Sequence, residues 1–137
     1  MIRAICLSTL IAVSSGLSAC KGADAATDPV WGKQPCAHCA MVIGDRKYAA
    51  QLVAEDGTRA HFDDVGCMIA YVQSQKVLVL RSWVRAEDTD AWLDAARAKY
   101  HTGARTPMDY GFGAIATGSL DFEQVRQQVL ARERKQP

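Results

Sequence analysis

Six consecutive residues, Cys36-Ala37-His38-Cys39-Ala40-Met41, hold two thiols, an imidazole and a thioether. Neither a core nor a solvated surface requires that combination. Soft sulfur donors select soft metals, and a methionine beside cysteines points away from zinc and toward Cu(I). Taken alone, Cys36-x-x-Cys39 fits three chemistries. A structural zinc site needs a second Cys or Cys/His pair at fixed spacing, and the chain has no second C-x-x-C. A redox dithiol usually has its low-pKa cysteine at a helix N-terminus. This motif follows Gln34-Pro35 and runs into Met41-Val42-Ile43-Gly44, which is no obvious helix start. A soft-metal site gives Met41 a role. In an extended segment Cys39 and Met41 point the same way, and a turn brings Cys36 round to them. The alternative for Met41 is core filler, the common use of methionine.

Other donors are scattered along the chain. His38 lies between the cysteines and is either a ligand or an exposed loop histidine. His61 falls on the polar face of an alternating run, beside Asp63. A neighbouring carboxylate often fixes the tautomer of a metal-bound imidazole; a solvated strand face is the other reading. His101 either ligates or ends a strand. Cys67 lies off the apolar stripe of its helix, as a packing residue of a second layer or an auxiliary thiol. Met108 follows Thr106-Pro107 in a loop with little packing demand, which makes it the candidate ligand from the second half.

The N-terminus says where such a site would work. Arg3 precedes a short apolar run, Ala4 to Val13, and Leu17-Ser18-Ala19-Cys20 follows. This reads as a signal peptide over residues 1–19, ending at a lipobox whose Cys20 carries the lipid of a bacterial lipoprotein. The expectation is an extracytoplasmic, membrane-anchored protein on the periplasmic side, with the bilayer as a partner through Cys20. Without Arg3, the remaining Lys and Arg balance the 15 Asp and Glu. Such a neutral chain has no basic patch for nucleic acid. After Cys20, three thiols remain: Cys36, Cys39 and Cys67. An odd count leaves at least one unpaired, and a Cys36–Cys39 disulfide would have to be reduced before metal binds.

The elements that must position these groups follow from the pattern. Residues 20–35 are small, polar and broken by Pro29 and Pro35, a flexible tether. Lys47 to Ala54 and Thr58 to Asp63 alternate on either side of Asp56-Gly57, a hairpin. Asp63 or Asp64 caps a helix whose stripe is Val65, Met68, Ile69 and Val72. Val77 to Val84 is a β-branched and aliphatic strand. Trp92 to His101 is ambiguous between helix and strand. Gly111 to Thr117 is a strand candidate, and Asp121 with Gln124 forms a capping box before a last helix. The fold class is α+β: two small related ββαβ-type units packed together, antiparallel-rich, with one helix each. The first unit spans 36–85 with the metal motif. The second, ββα-like, spans 86–137 and has no evident closing strand.

With those residues placed, the chain resembles the NosL family, the copper-binding accessory lipoproteins of nitrous oxide reductase. The resemblance rests on the lipobox at Cys20, Cys36-x-x-Cys39-x-Met41, Phe62-Asp63-Asp64-Val65-Gly66-Cys67-Met68, and Thr106-Pro107-Met108 followed by Gly111-Phe112-Gly113-Ala114. It implies two ββαβ units, Cu(I) held by cysteine, methionine and histidine, and delivery of copper to the reductase as its copper–sulfide cluster is assembled. A membrane copper exporter is the implied donor. The implied mechanism is metal exchange, not catalysis. Cys39, Met41 and Met108 hold Cu(I) in a low-coordinate site that Cys36 or a histidine (His38 or His61) completes. The chain departs from the family where Ala40 and Asp109 stand in place of its usual glycines. A different function class, a membrane-tethered thiol–disulfide oxidoreductase using Cys36 and Cys39, is the alternative.

Overall fold

Asp56-Gly57 turns the chain as its residues predict. Gly57 takes a φ of 86°, the Asp56 side chain accepts from the Thr58 N–H at 2.8 Å, and the strands on either side pair. A computed structural model describes residues 24–135 of the protein. The leader, Cys20 and the first residues of the expected tether lie outside them.

The fold is α+β with antiparallel sheets. β1 (Ala50–Ala54) and β2 (Arg59–Phe62) form the hairpin, with Gln51 opposite His61 and Leu52 opposite Ala60. α1 (Val65–Gln75) follows, capped by Asp64, then β3 (Val79–Arg85), which pairs with β1 on its free side. β4 (Trp92–Asp94) pairs with the end of β3, so the first sheet runs β2-β1-β3-β4. β5 (Tyr100–Thr102) and β6 (Phe112–Ala114) make a second, two-stranded sheet. α2 (Phe122–Glu133) opens on the expected capping box, in which the Asp121 and Gln124 side chains each accept from the other's backbone. No strand follows α2 among the described residues.

The ambiguous stretch from Trp92 to His101 resolves into two short strands around a turn. Asp94 accepts from the N–H groups of Ala96 and Arg97 there, the local bonding by which aspartate competes with helix. The pairing of β3 with β4 crosses the sequence boundary at 85/86. One hydrophobic core, from Cys36 through Phe62, Met68 and Tyr100 to Val129, serves both halves. The apolar stripe of α1 holds, with Val65, Met68 and Ile69 buried and Val72 packed against the core.

The flexible tether needs correction for its later residues. Gln51, fully buried on β1, accepts from the Thr27 N–H at 3.0 Å and donates to the Thr27 carbonyl at 2.9 Å. Asp28 accepts from Trp92 Nε1 at 2.8 Å and pairs with Arg85 at 2.9 Å. The Arg85 guanidinium lies over the Trp31 and Trp92 rings. This segment is a strap bound across the sheet. It hides the second face of β1 and β2, which is why every residue of β1 is buried despite its alternating sequence.

The two sheets meet at an ion pair. His101 Nε2 lies 2.6 Å from Glu87 Oε2, and the Tyr48 hydroxyl donates to the other carboxylate oxygen. Gly113 leaves the space, since a Cβ there would strike both groups. The Glu87 carboxylate raises the His101 pKa above 6.5, and His101 lowers that of Glu87 below 4.5. A raised histidine stabilises the fold below its unfolded pKa and loses that contribution as pH rises through its folded one; a depressed glutamate loses its own as pH falls. The pair is therefore strongest between those two values. Thermal unfolding followed from about pH 6 to about pH 8 should show the native protein losing stability relative to His101→Gln.

Candidate metal centre

Residues 35–42 fold back on themselves. The Cys36 N–H donates to the Met41 carbonyl at 2.7 Å, the Ala40 N–H to the Cys36 carbonyl at 3.0 Å, and Pro35 bridges Val42. Ile43, fully buried, anchors one end. The Ala37 N–H donates to the His61 carbonyl at 2.9 Å and sets the turn against the end of β2. The turn depends on Ala40, which holds a φ of 63°. That left-handed backbone costs a non-glycine residue about 1–2 kcal/mol. Ala40→Gly should therefore raise stability by about 1 kcal/mol after the entropy of the freer unfolded chain is counted, read as a higher urea midpoint.

The other half of the site comes from the start of α1. Asp63 ends the hairpin and Asp64 caps the helix, its Oδ1 accepting from the Cys67 N–H at 2.8 Å. Cys67 is thereby fixed in the first turn, facing the Cys36 turn. The sulfurs of Cys36, Cys39 and Cys67 and a carboxyl oxygen of Asp63 all lie within 4.8 Å of one another. Metal–sulfur bonds of about 2.3 Å in tetrahedral or trigonal geometry need neighbouring sulfurs about 4 Å apart. The cluster would close on an ion with shifts under about 1 Å. Asp63 Oδ2 accepts from the Cys39 thiol at 3.3 Å. Its Oδ1 is buried without a hydrogen-bond partner among the described residues. An orphaned buried oxygen of this kind calls for an explanation such as an ion, and the donor set accommodates one.

The thiols are not equivalent. Cys36 ionises first, its pKa brought down to about 6 by a hydrogen bond from Cys67 and by the N–H groups of Cys39, Asp63 and His38 around its sulfur. Burial pushes Cys39 up to about 12. Cys67 is pushed up as the donor to Cys36, by burial, and by the nearby Asp64 and Asp63. One thiolate is therefore shared by a nest of donors. Cys36 and Cys67 are 2% and 0% exposed; Cys39 is half-buried and forms the solvent side of the cluster. All three are free thiols.

Of the residues picked from the sequence, Cys36 and Cys39 are central. Cys67, for which the sequence left a second-layer packing role or an auxiliary thiol open, is in the cluster, and so is Asp63. Their signal was present: Cys67 lies off the stripe of α1, and Asp63 directly precedes the cap. His61 is neither on a solvated face nor oriented by Asp63. It is buried, with Nδ1 accepting from Gln34 at 3.0 Å and Nε2 donating to the Thr27 carbonyl at 3.1 Å. Burial lowers its pKa, and both nitrogens are in use. His38 brings its backbone N–H to Cys36 and stands outside the four-residue cluster. Met41 is not on an extended segment with Cys39, because the turn at Ala40 intervenes; its side chain is 48% exposed. Its N–H faces the Cys39 sulfur.

Met108 is not a free loop residue. It packs partly against the core, and its N–H, with the Thr106 hydroxyl, faces the Asp64 carboxyl. Burial raises the Asp64 pKa. The Tyr110 ring lies on Gly66, where no Cβ would fit, and its hydroxyl donates to Glu133 at 2.7 Å. The 106–110 loop is thus pinned between the start of α1 and the end of α2.

No protein-family model, curated protein or solved structure matches this chain.

Proposed function

We propose that this protein binds Cu(I) as cargo and passes it to an extracytoplasmic copper enzyme. The observation that carries the reading is the convergence of three cysteine sulfurs from two separate stretches, within 4.8 Å of one another and of only one oxygen donor. Thiolates prefer Cu(I), and a carboxylate is a poor ligand for it. Three sulfurs with one weak oxygen make a site that an acceptor's ligand can enter before the ion leaves. Met41 is exposed two residues from Cys39, and the Met108 loop abuts the α1 cap. These are the flanking sulfurs we assign to the ion's passage.

The resemblance to the NosL family extends the reading to nitrous oxide reductase as client, a membrane copper exporter as donor, and a lipid anchor at Cys20. The two residues that replace the family's glycines fall at left-handed backbone, φ 63° at Ala40 and 58° at Asp109. Glycine adopts these angles without strain, so the turns here are those the family's glycines would make.

A thiol–disulfide exchanger is the second reading, favoured by the Cys36 thiolate. Its nucleophile would be 2% exposed, which blocks attack on a protein disulfide. Competition for Cu(I) between the reduced protein and a calibrated chelator tests the copper reading, with X-ray absorption on the loaded form. Sulfur neighbours and an affinity that climbs with pH are expected, since Cys39 and Cys67 must shed protons to bind. Nitrogen and oxygen neighbours alone, or no uptake by reduced protein, would refute it.

A further inference from the structure

Cu(I) leaves one group of the centre without a use. Three sulfurs satisfy it, and a carboxylate is a poor ligand for it. Yet Asp63 brings a buried carboxyl into the cluster. Its Oδ2 lies 3.3 Å from the Cys39 sulfur, and its Oδ1 has no hydrogen-bond partner among the described residues. Buried side-chain oxygens are nearly always partnered. Asp64, next in sequence, is employed elsewhere. Its carboxyl caps α1 through the Cys67 N–H and faces the Thr106 hydroxyl and the Met108 N–H.

The sequence carries no second C-x-x-C, but the fold supplies a second pair of donors. Asp63 and Cys67, on either side of the Asp64 cap, enter from the start of α1 and face Cys36 and Cys39. All four donor atoms lie within 4.8 Å of one another. With zinc–sulfur bonds of about 2.3 Å and zinc–carboxylate bonds of about 2.1 Å, a tetrahedron puts sulfur about 3.6 Å from oxygen and about 3.8 Å from sulfur. The Cys39–Asp63 contact is already near that spacing.

We infer that the cluster is also a closed tetrahedral site for a divalent ion of the zinc class, with Asp63 as its fourth ligand. Zn(II) accepts thiolate and carboxylate alike, and it is almost always four-coordinate where no position is left open. Three thiolates and a carboxylate carry more negative charge than a divalent ion cancels, as the four thiolates of common zinc sites also do. Backbone N–H groups offset the excess. Those of His38, Cys39 and Asp63 face the Cys36 sulfur, and that of Met41 faces the Cys39 sulfur. Asp63 thereby sorts two kinds of ion: a divalent one takes its oxygen, and Cu(I) is held by the sulfurs alone. Both need the same sulfurs, so copper enters a zinc-loaded molecule by displacement. This divalent site requires the three-sulfur centre but not the copper chemistry proposed for it.

Titration of the reduced protein with Co(II), a coloured substitute for zinc, tests this, followed by Zn(II) competition and X-ray absorption of the zinc-loaded form. The expected result is a single ion per chain, the intense visible bands of tetrahedral Co(II), and a zinc shell of three sulfurs and one oxygen. Asp63→Asn should lower Zn(II) affinity by more than about 100-fold, beyond the range for a residue that only orients a ligand. Its cost to Cu(I) should stay within about 10–100-fold, so the variant shifts preference toward copper. Equal losses for both ions would make Asp63 a positioning residue and overturn the tetrahedral site. So would an imidazole scattering pattern in place of the oxygen, the weak bands of octahedral Co(II), or no uptake by reduced protein. If Asp63→Asn does not fold, the zinc shell of the native chain decides. Zn(II) bound in this way with Cu(I) refused would sink the copper reading and leave the divalent site standing; Cu(I) bound with Zn(II) refused would sink the divalent site alone.

Discussion

Cys67→Ser should lower Cu(I) affinity by more than about 100-fold while the fold persists. Loss of a residue that merely orients a ligand costs about 10–100-fold, and the loss of one of three sulfurs should exceed it. Cys67 is placed by α1 and by the Asp64 cap, not by the Cys36 turn. Its substitution therefore asks whether the helix contributes to the ion or only packs beneath it. Asp63→Asn is the companion. It keeps the shape but weakens the acceptor of the Cys39 thiol, and should cost within the 10–100-fold range. Chelator competition on reduced protein measures both, with circular dichroism as the check on folding. If Cys67→Ser binds as the native protein does, the three-sulfur centre is wrong and Cys36 and Cys39 must work alone.

Phe62→Ala should destabilise the protein by about 3–5 kcal/mol, the range for emptying a large buried aromatic site. Phe62 is fully buried, stands 5.3 Å from the Tyr71 ring, and pairs with Ala50 at the end of the hairpin. A small domain has about 5–15 kcal/mol in all, so this one truncation would remove a large share of it. The next residue is Asp63, so a cavity under Phe62 also loosens the carboxyl that holds Cys39 and the cap that holds Cys67. Urea unfolding gives the stability change, and copper competition on the fraction still folded gives the second effect. A cost under about 1 kcal/mol would mean the site collapses around the gap.

Local rules carried the sequence reading where they were local. The Asp56-Gly57 turn, the stripe of α1 and the Asp121/Gln124 capping box are all signals within a few residues, and all formed. The strap over residues 27–34 could not be read this way. Its order comes from Gln51, Arg85 and Trp92, distant in sequence, while its own composition is that of a linker. The same reason hid His61. Alternation placed it opposite the buried Phe62 and Ala60, and only the strap makes its face an interior one. In the metal centre, spacing gave Cys36 and Cys39 but misjudged Met41, because alternation assumes an extended chain and Ala40 turns it. Cys67 was visible as a residue out of place on its helix, though nothing local said which turn it faced.

The unequal burial of the three sulfurs fixes an order of events. Cys36 and Cys67 lie at the floor and Cys39 at the rim. For the proposed Cu(I) cargo, an incoming thiolate would approach over Cys39, whose bond would yield first. The two floor sulfurs would then release together as the ion is drawn outward. Handover through such a funnel is sequential, and small reagents should strip the metal far faster than bulky ones of equal affinity.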